Sequence, residues 1–356
     1  MVGAGAAGSA AAWWLARRGR AVTLLEQFGP RHDRGSSHGR SRIFRLAYPD
    51  PDDVRRCVEA KRLWDELEDD CGETLRETPG ALDHGDDAVV AAIAAALAEV
   101  GAPHTLMTAE EAGERYPFLR FDGDVLLHPD GGRTDAEATV AACVRRAGEL
   151  GADVRYDTPV RALRMVGDGV EVDTDDGTIR AGLAVVAAGA WTAPLLGGLV
   201  DLPPLTVTQE QYVHVRPHEP VPAWPSTIHR AEPHLYNLLT PGEGIKIGIH
   251  TGGKVVDPDT RDGVADPGAV AQMVAHVADW IPGADASTAV AGTCLYTSTP
   301  SERFLIDRLG PLVVSSACSG TGFKFTPLIG RILADLVDDP DAAPSRFRIT
   351  EHTHRV

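Results

Sequence analysis

The sequence lacks the features that would indicate a nucleic-acid-binding or metal-binding protein. Its 356 residues carry 34 Lys and Arg against 51 Asp and Glu, which gives a formal net charge of −17. Nucleic acid and anionic membrane surfaces attract clustered basic side chains, so this balance argues against both as partners. The five cysteines form no CxxC pair and no Cys/His cluster, so their spacing predicts neither a metal site nor a redox dithiol. They are Cys57, Cys71, Cys143, Cys294 and Cys318.

Long apolar runs are also missing. No stretch approaches the roughly 18 consecutive apolar residues that are needed to span a bilayer. Residues 1–16 are uncharged and rich in Gly and Ala, but Arg17, Arg18 and Arg20 follow this run. A signal peptide carries its positive charges before the apolar part, so this is the wrong order. Widely spaced single cysteines fit a reducing compartment, and we therefore expect a soluble, cytoplasmic protein.

What is present is typical of a globular enzyme, with 43% hydrophobic and 24% charged residues. A chain of this length is expected to form two closely connected domains. The order of its elements predicts an α/β fold, in which an antiparallel-sheet domain is inserted into a nucleotide-binding domain. Predicted helices cover 9–19, 52–70, 87–100, 134–150, 267–280 and 323–337, and predicted strands lie at 21–27, within 153–187, within 204–250 and at 312–317.

The glycine-rich loop at the start of the chain predicts dinucleotide binding. Gly3, Gly5 and Gly8 have the GxGxxG spacing that gives a tight turn, a close backbone approach to a pyrophosphate and close helix–strand packing. Glu26 ends the following strand, where a carboxylate can accept hydrogen bonds from ribose hydroxyls. The alternative is an ordinary Gly/Ala-rich helix start. Only Met1 and Val2 precede the loop, so its leading strand is missing; either the start codon is misassigned or the chain is truncated.

Several separated segments together resemble the monomeric sarcosine oxidase and N-methyltryptophan oxidase family, within the D-amino-acid-oxidase superfamily. They are HGRSRIFRLAY (38–48), VVAAGAW (185–191), GIKIGIH (244–250), TCLYTSTPSERFLID (293–307) and CSGTGFKF (318–325). The resemblance implies a monomer with a glutathione-reductase-like Rossmann FAD domain and an inserted antiparallel-sheet substrate domain. The implied FAD domain is discontinuous (1–77, 139–199 and 293–356), and the substrate domain covers 78–138 and 200–292.

The resemblance also implies a chemistry. Members of the family pass two electrons from an amine to the flavin and then to O2, which yields an imine and H2O2. Cys294 occupies the position that forms a thioether to the flavin 8α-methyl group; the alternative is a buried strand cysteine. Gly320 and Gly322 are expected to let the backbone approach the flavin or the substrate, because a Cβ there would intrude.

The implied substrate-binding and catalytic residues are mostly cationic or aromatic. Arg45 and Lys324 resemble the pair that holds the substrate carboxylate, although either alone would ordinarily be a solvated surface cation. Lys246 resembles the lysine beside flavin N5 that promotes the reaction with O2, and a solvent-facing lysine is its alternative. The remaining candidates are a flavin-proximal pair and three residues of the substrate cavity, for which core positions are also open: His38 and Arg42, and Tyr236, His250 and Tyr296.

Cys318 departs from the family pattern, because an aromatic residue is common there. A smaller side chain near the flavin or the substrate would change the shape of the cavity, so the resemblance does not by itself assign sarcosine as the substrate. N-methyl amino acids, cyclic imino acids and a biosynthetic intermediate all remain open. Three other functions also remain open: a D-amino-acid or glycine oxidase, a dehydrogenase with an acceptor other than O2, and a flavin-binding module without catalysis.

Overall fold

The computed structural model describes residues 1–221 and 223–353. The helices in these ranges are α1 (Ala6–Arg17), α2 (Pro51–Cys71), α3 (Asp87–Val100), α4 (Ala109–Arg115), α5 (Ala136–Glu149), α6 (Thr192–Leu196), α7 (Pro267–Trp280), α8 (Thr326–Asp338) and α9 (Thr350–Thr353). Short 3-10 helices cover Gly189–Trp191, Gly322–Phe325 and Ser345–Phe347. Among these helices none is both long and apolar enough to cross a membrane.

The strands are β1 (Thr23–Leu25), β2 (Arg42–Phe44), β3 (Arg76–Glu77), β4 (Ala81–Gly85), β5 (Thr105–Met107), β6 (Val125–His128), β7 (Gly132–Thr134), β8 (Asp153–Arg155), β9 (Val160–Val166), β10 (Gly169–Thr174), β11 (Gly177–Ala181), β12 (Ala184–Val186), β13 (Thr206–Pro217), β14 (Ser226–Arg230), β15 (Leu235–Thr240), β16 (Gly244–Ile249), β17 (Lys254–Val255), β18 (Ala284–Ser298), β19 (Leu305–Leu309) and β20 (Leu312–Ser316). Together with the helices they confirm the predicted α/β fold.

Local sequence signals account for the helix ends. The Asp50 side chain accepts a hydrogen bond from the Asp52 N–H at the start of α2, and Gly72 ends that helix in the left-handed region. The Asp135 side chain accepts a hydrogen bond from the Ala138 N–H at the start of α5. Helices α3 and α7 have the predicted bounds, and α5 lies within the predicted range 134–150 and starts directly after its cap Asp135.

Parallel pairs form the sheet behind the glycine loop. Strand β1 pairs with β8, and β12 pairs with β20. Val2 forms parallel bridges to both Leu25 and Val186. The Val2 N–H donates to the Val185 carbonyl at 2.8 Å, and the Gly3 N–H donates to Leu25 at the same distance. Residues 1 and 2 therefore occupy the place of the strand that the sequence appeared to lack.

Helices α1 and α8 pack closely over this sheet. A Cβ on Gly330 would lie 2.6 Å from the Ala10 backbone, so the two helices can approach because α8 carries a glycine there. Trp13 and Trp14 are buried in the same core. The Trp14 indole N–H donates to the Pro327 carbonyl at 2.9 Å, which satisfies its polar atom inside the core.

A nine-stranded sheet forms the second part of the fold. Its order is β17-β13-β16-β15-β14-β4-β6-β5, with β18 also paired to β13. Its pairs are antiparallel except β14–β4, which run parallel. Ile245 and Ile247 pack into one core with Met273 and Val277 of α7, and alternation along β16 places Lys246 on the opposite face. The predicted boundaries at 138/139 and 292/293 fall inside α5 and β18, and the division into domains stays a prediction.

Candidate active site

A cavity of about 660 Å³ extends from the glycine loop to strand β18 and the loop after β20. A cavity of this size is within the range of about 300–1,000 Å³ that is usual for small-molecule and cofactor sites. Nine of the predicted site residues line it: Gly3, Gly5, Glu26, His38, Arg42, Cys294, Tyr296, Gly320 and Gly322. The sequence thus identified residues from four distant segments that meet at one cavity.

The glycine loop has the geometry of an anion cradle. Gly3 has a φ of +93°, and a Cβ there would lie 2.6 Å from the Ala187 carbonyl oxygen. Gly8 is not part of the cavity lining. A Cβ added at Gly8 would lie 1.9 Å from the Gly3 carbonyl oxygen, so the turn can close only because residue 8 is a glycine. Gly5 is the N-cap of α1, whose N–H groups and dipole favour a negative charge. This arrangement fits a pyrophosphate.

Glu26 lies beside this loop at the end of β1. Its carboxylate is buried and accepts hydrogen bonds from the Ala4 N–H at 2.8 Å and from the Phe28 N–H at 3.1 Å. Each bond uses a different oxygen, so the side chain is held rigidly at the cavity wall. The hydroxyls of Ser315 and Ser316, at the far wall, are buried and have no hydrogen-bond partner within 1–221 and 223–353. Polar groups therefore face the cavity from both sides, as a dinucleotide requires.

Cys294 lies on β18, is buried, and lines the cavity together with Cys318. Burial raises the pKa of the Cys294 thiol, while the positive charges of Lys246 and Arg42 act in the opposite direction. Across the ladder, Cys294 pairs with Glu210 of β13. The thiol is therefore neighboured by cations inside a desolvated site.

Lys246 is buried on the face of the large sheet that is turned away from α7. Its ammonium nitrogen lies 4.0 Å from the centre of the Tyr212 ring. Burial, followed by the charge of Arg42, lowers the pKa of Lys246 to about 7. The solvent-facing alternative for this lysine is therefore wrong.

Arg42 organises the loop that carries His38. Its guanidinium donates hydrogen bonds of 2.7 Å to the carbonyls of Ser36, His38 and Ser41. His38 Nδ1 donates to the Gly35 carbonyl at 2.7 Å. Burial, followed by the Arg42 charge, lowers the pKa of His38 to about 4, so the ring is neutral at neutral pH. Arg42 therefore holds a neutral imidazole at the cavity wall.

Arg45 and Lys324 meet at Tyr48. The Arg45 guanidinium carbon lies 4.1 Å from the centre of the Tyr48 ring, and Lys324 Nζ lies 5.6 Å from it. Lys324 is buried and donates to the Thr321 carbonyl at 2.6 Å, and Arg45 donates to the Ala47 carbonyl. Burial, followed by the Arg45 charge, lowers the pKa of Lys324 to about 7. Lys324 is therefore not the solvated surface cation that was its alternative.

Two tyrosines and a histidine lie near both groups of cations. Tyr296 lines the cavity, and its ring centre is 6.1 Å from that of His250. Burial raises the pKa of Tyr236, and a side-chain hydrogen bond with Tyr296 is among the causes that oppose this. Burial, followed by Arg45 and Lys324, lowers the pKa of His250 to about 4. A Cβ on Gly320 would lie 2.3 Å from the Tyr296 ring, so this glycine is needed for the tyrosine to lie there.

Sequence reasoning missed three residues of this region. Tyr48 has a buried hydroxyl without a hydrogen-bond partner among the described residues. It is the last residue of the segment 38–48 and follows Arg45 closely in the sequence, and this could have indicated it. Tyr212 could have been found from the alternation of β13, because residues two apart on a strand, such as Tyr212 and His214, lie on the same face. Glu210 is a buried carboxylate with a pKa raised mainly by burial, and no motif indicated it.

Comparison with known sequences identifies similar proteins over nearly the whole chain. Residues 1–336 match the family described as FAD dependent oxidoreductase. The monomeric sarcosine oxidase of Streptomyces avermitilis is 33% identical, over 94% of this chain and 92% of that protein. The N-methyl-L-tryptophan oxidase of Escherichia coli O127:H6 is 29% identical, over 95% of this chain and 94% of that protein.

Solved structures with the same fold include two that act on amino acids. NikD, described as an unusual amino acid oxidase essential for nikkomycin biosynthesis, superposes in its open form with a TM-score of 0.88. It is 31% identical and covers 98% of this chain and 96% of its own. The L-proline dehydrogenase of P. horikoshii has a TM-score of 0.84 at 25% identity, with 97% and 96% covered.

Proposed function

Because the chain belongs to the FAD-dependent oxidoreductase family, and within it to the sarcosine oxidase and N-methyltryptophan oxidase group, we propose that it oxidises the C–N bond of a secondary amino acid to an imine, with reduction of O2 to H2O2. The observation that carries this proposal is a single one. The cavity behind the glycine loop reaches Cys294, next to buried Lys246, and the clamp pair Arg45 and Lys324 lies nearby around Tyr48.

The cavity fits FAD. Gly3 and Gly5 with the start of α1 would hold the pyrophosphate, and Glu26 would accept hydrogen bonds from the ribose. The unpartnered hydroxyls of Ser315 and Ser316 would supply further polar contacts. When bound, the flavin supplies the chemistry of a two-electron acceptor.

We further propose that Cys294 holds the flavin covalently through a thioether. Burial at the cavity wall raises the pKa of its thiol, and the charges of Lys246 and Arg42 oppose this shift and favour the thiolate that such a bond requires. Cys318 lines the same cavity and serves as the internal comparison. Its small side chain, where relatives commonly carry an aromatic one, supports a substrate larger than sarcosine.

The carboxylate of the substrate would bind between Arg45 and Lys324. Arg offers a planar pair of donors and Lys a point charge, and both lie against the Tyr48 ring. The Lys324 pKa of about 7 means that burial has removed part of its charge. An incoming carboxylate would restore that charge, because an opposite charge nearby favours the ammonium form. The Tyr48 hydroxyl, which has no hydrogen-bond partner in the described part of the chain, would donate a further hydrogen bond.

Lys246 would act on the oxygen side of the reaction. Reduction of O2 builds negative charge on oxygen, and a cation held in a desolvated site can stabilise it without reorganisation. The Lys246 ammonium is fixed over the Tyr212 ring and close to the Arg42 charge. His38 is neutral at neutral pH, so we assign it and Arg42 to positioning and electrostatics rather than to proton abstraction. The protein would work as a cytoplasmic monomer.

The similarity to L-proline dehydrogenase favours a second candidate, in which the electrons leave to an acceptor other than O2. An anaerobic screen of N-methyl, cyclic and primary amino acids, scored by bleaching of the flavin band, tests the substrate class. Air is then admitted and H2O2 is measured against imine. We expect bleaching by secondary amino acids and one H2O2 for each imine. Bleaching by primary amino acids alone would contradict the proposal, and imine without H2O2 would favour the dehydrogenase.

A further inference from the structure

Three polar residues that are far apart in the sequence meet on the other face of the large sheet. His84 lies on β4, His229 lies on β14, and Asp122 lies in the loop before β6. His84 and His229 are direct partners in the β4–β14 ladder. Their rings contact Trp280 of α7, so they lie on the side of the sheet that faces this helix. Lys246 lies on the opposite face, and the cluster is therefore separate from the site described above.

Two distances within this cluster are close to those between the ligands of one metal ion. His84 Nδ1 lies 3.0 Å from Asp122 Oδ1, and His229 Nε2 lies 3.5 Å from the same oxygen. The three ligand atoms all lie within 4.8 Å of one another. At metal–ligand distances of about 2.0–2.1 Å, two ligands of a tetrahedral zinc ion are about 3.3–3.4 Å apart. The observed distances lie on either side of this value.

A second observation concerns His229. Its Nε2 atom is buried and, among the described residues, has no hydrogen-bond partner, although it faces the Asp122 carboxylate. A buried polar atom without a partner is costly, and bound metal is one of the ways in which proteins satisfy it. His84 and His229 are both more than nine-tenths buried, and their rings stack nearly in parallel with centres 4.4 Å apart. Each imidazole presents a nitrogen to the exposed Asp122 carboxylate, and one ring turns about its Cβ–Cγ bond to bring both lone pairs onto one ion.

We propose that His84, Asp122 and His229 bind one divalent transition-metal ion of the zinc type. Two imidazoles and one carboxylate suit zinc, cobalt or nickel, whereas magnesium and calcium prefer sites made of oxygen ligands. Asp122 is exposed, which leaves a path for the ion to enter. The fourth position falls to water. The ion joins β4, β14 and the loop before β6, and its role is structural.

Zinc titration of the flavin-loaded protein, freed of metal with a chelator, tests this proposal by calorimetry. We expect one zinc ion for each chain and a higher melting temperature in the presence of zinc. Loss of an outer-shell contact typically weakens metal binding about 10- to 100-fold, so loss of a ligand should weaken it at least tenfold. Asp122→Asn and His229→Gln should both show this loss, and magnesium should not compete.

The control is His218→Gln, which removes an exposed histidine outside the cluster. This variant should bind zinc as the parent protein does. Asp122 is exposed, so Asp122→Asn is expected to fold, and its circular dichroism and bound flavin verify this. The proposal is overturned if the parent protein binds no zinc, if both ligand variants bind it with unchanged affinity, or if His218→Gln loses it equally. The last two outcomes would assign the zinc to cysteines or to surface histidines.

Discussion

The ammonium of Lys246 lies 4.0 Å from the centre of the Tyr212 ring, on a sheet face that is turned towards Cys294 rather than towards solvent. The two side chains lie on the neighbouring strands β16 and β13. The ring supplies a favourable cation–π contact, but burial still lowers the pKa of the lysine to about 7. Small changes of pH around neutrality therefore switch the charge of this group.

This relationship gives a pH prediction for the oxygen half-reaction. A lysine with a lowered pKa carries its charge below that value and loses it above, so the rate constant for oxidation by O2 should fall as the pH rises through about 7. Lys246→Met should remove this pH dependence and slow the reaction with O2 far more than reduction by substrate. Stopped-flow measurement of the two half-reactions checks this. Lys254→Met, at an exposed lysine, is the control, and equal slowing of both half-reactions by Lys246→Met would contradict the role.

The covalent link is tested with the two cysteines of the cavity. Protein precipitated with acid should stay yellow in the parent and in Cys318→Ser, because the sulfur of Cys294 is present in both. Cys294→Ser should give a colourless pellet and release all its flavin into the supernatant. Mass spectrometry of the peptide that contains residue 294 provides the second measurement. A yellow pellet from Cys294→Ser would place the bond elsewhere.

The carboxylate clamp predicts a defect in binding that is separate from stability. A hydrogen bond to a charged group contributes about 1.5–3 kcal/mol, so Lys324→Met should raise KM roughly 10- to 150-fold. The unfolded chain binds a proton at the ordinary lysine pKa, while the folded chain has partly lost it near pH 7. Removal of the buried amine should therefore leave the melting temperature at pH 7 unchanged or higher. A lower melting temperature together with an unchanged KM would contradict this assignment.

The glycine loop predicts a loss of cofactor when its third glycine is changed. A Cβ at residue 8 would lie 1.9 Å from the Gly3 carbonyl oxygen, so Gly8→Ala must push the turn out of place. We expect protein with little or no flavin and a lower melting temperature. Gly148→Ala is the matched control, because its Cβ meets nothing within 4 Å and it lies in helix α5. There, alanine should be neutral or stabilise by up to about 1 kcal/mol. Normal flavin content in Gly8→Ala would refute the assigned packing.

Sequence patterns predicted the helix bounds and the strand alternation because these features depend on residues that are close together in the chain. The bounds of α3 and α7 follow from acidic caps and apolar spacing, and Ile245 and Ile247 face the core because a strand alternates. The role of Met1 and Val2 could not be predicted in this way. Two residues are too few to show a strand pattern, and their pairing depends on β1 and on β12, which lies far along the chain.

By itself, the sequence determined the glycine turn, the acid that follows it, and the family to which the chain belongs, since each rests on short runs of neighbouring residues. Only the tertiary structure decided that Arg45 and Lys324 meet at Tyr48 and that His84 and His229 face Asp122. Those contacts join strands and loops that are distant in the chain. The burial and the charge of the side chains at such contacts arise from packing, so the spacing of residues in the sequence cannot predict them.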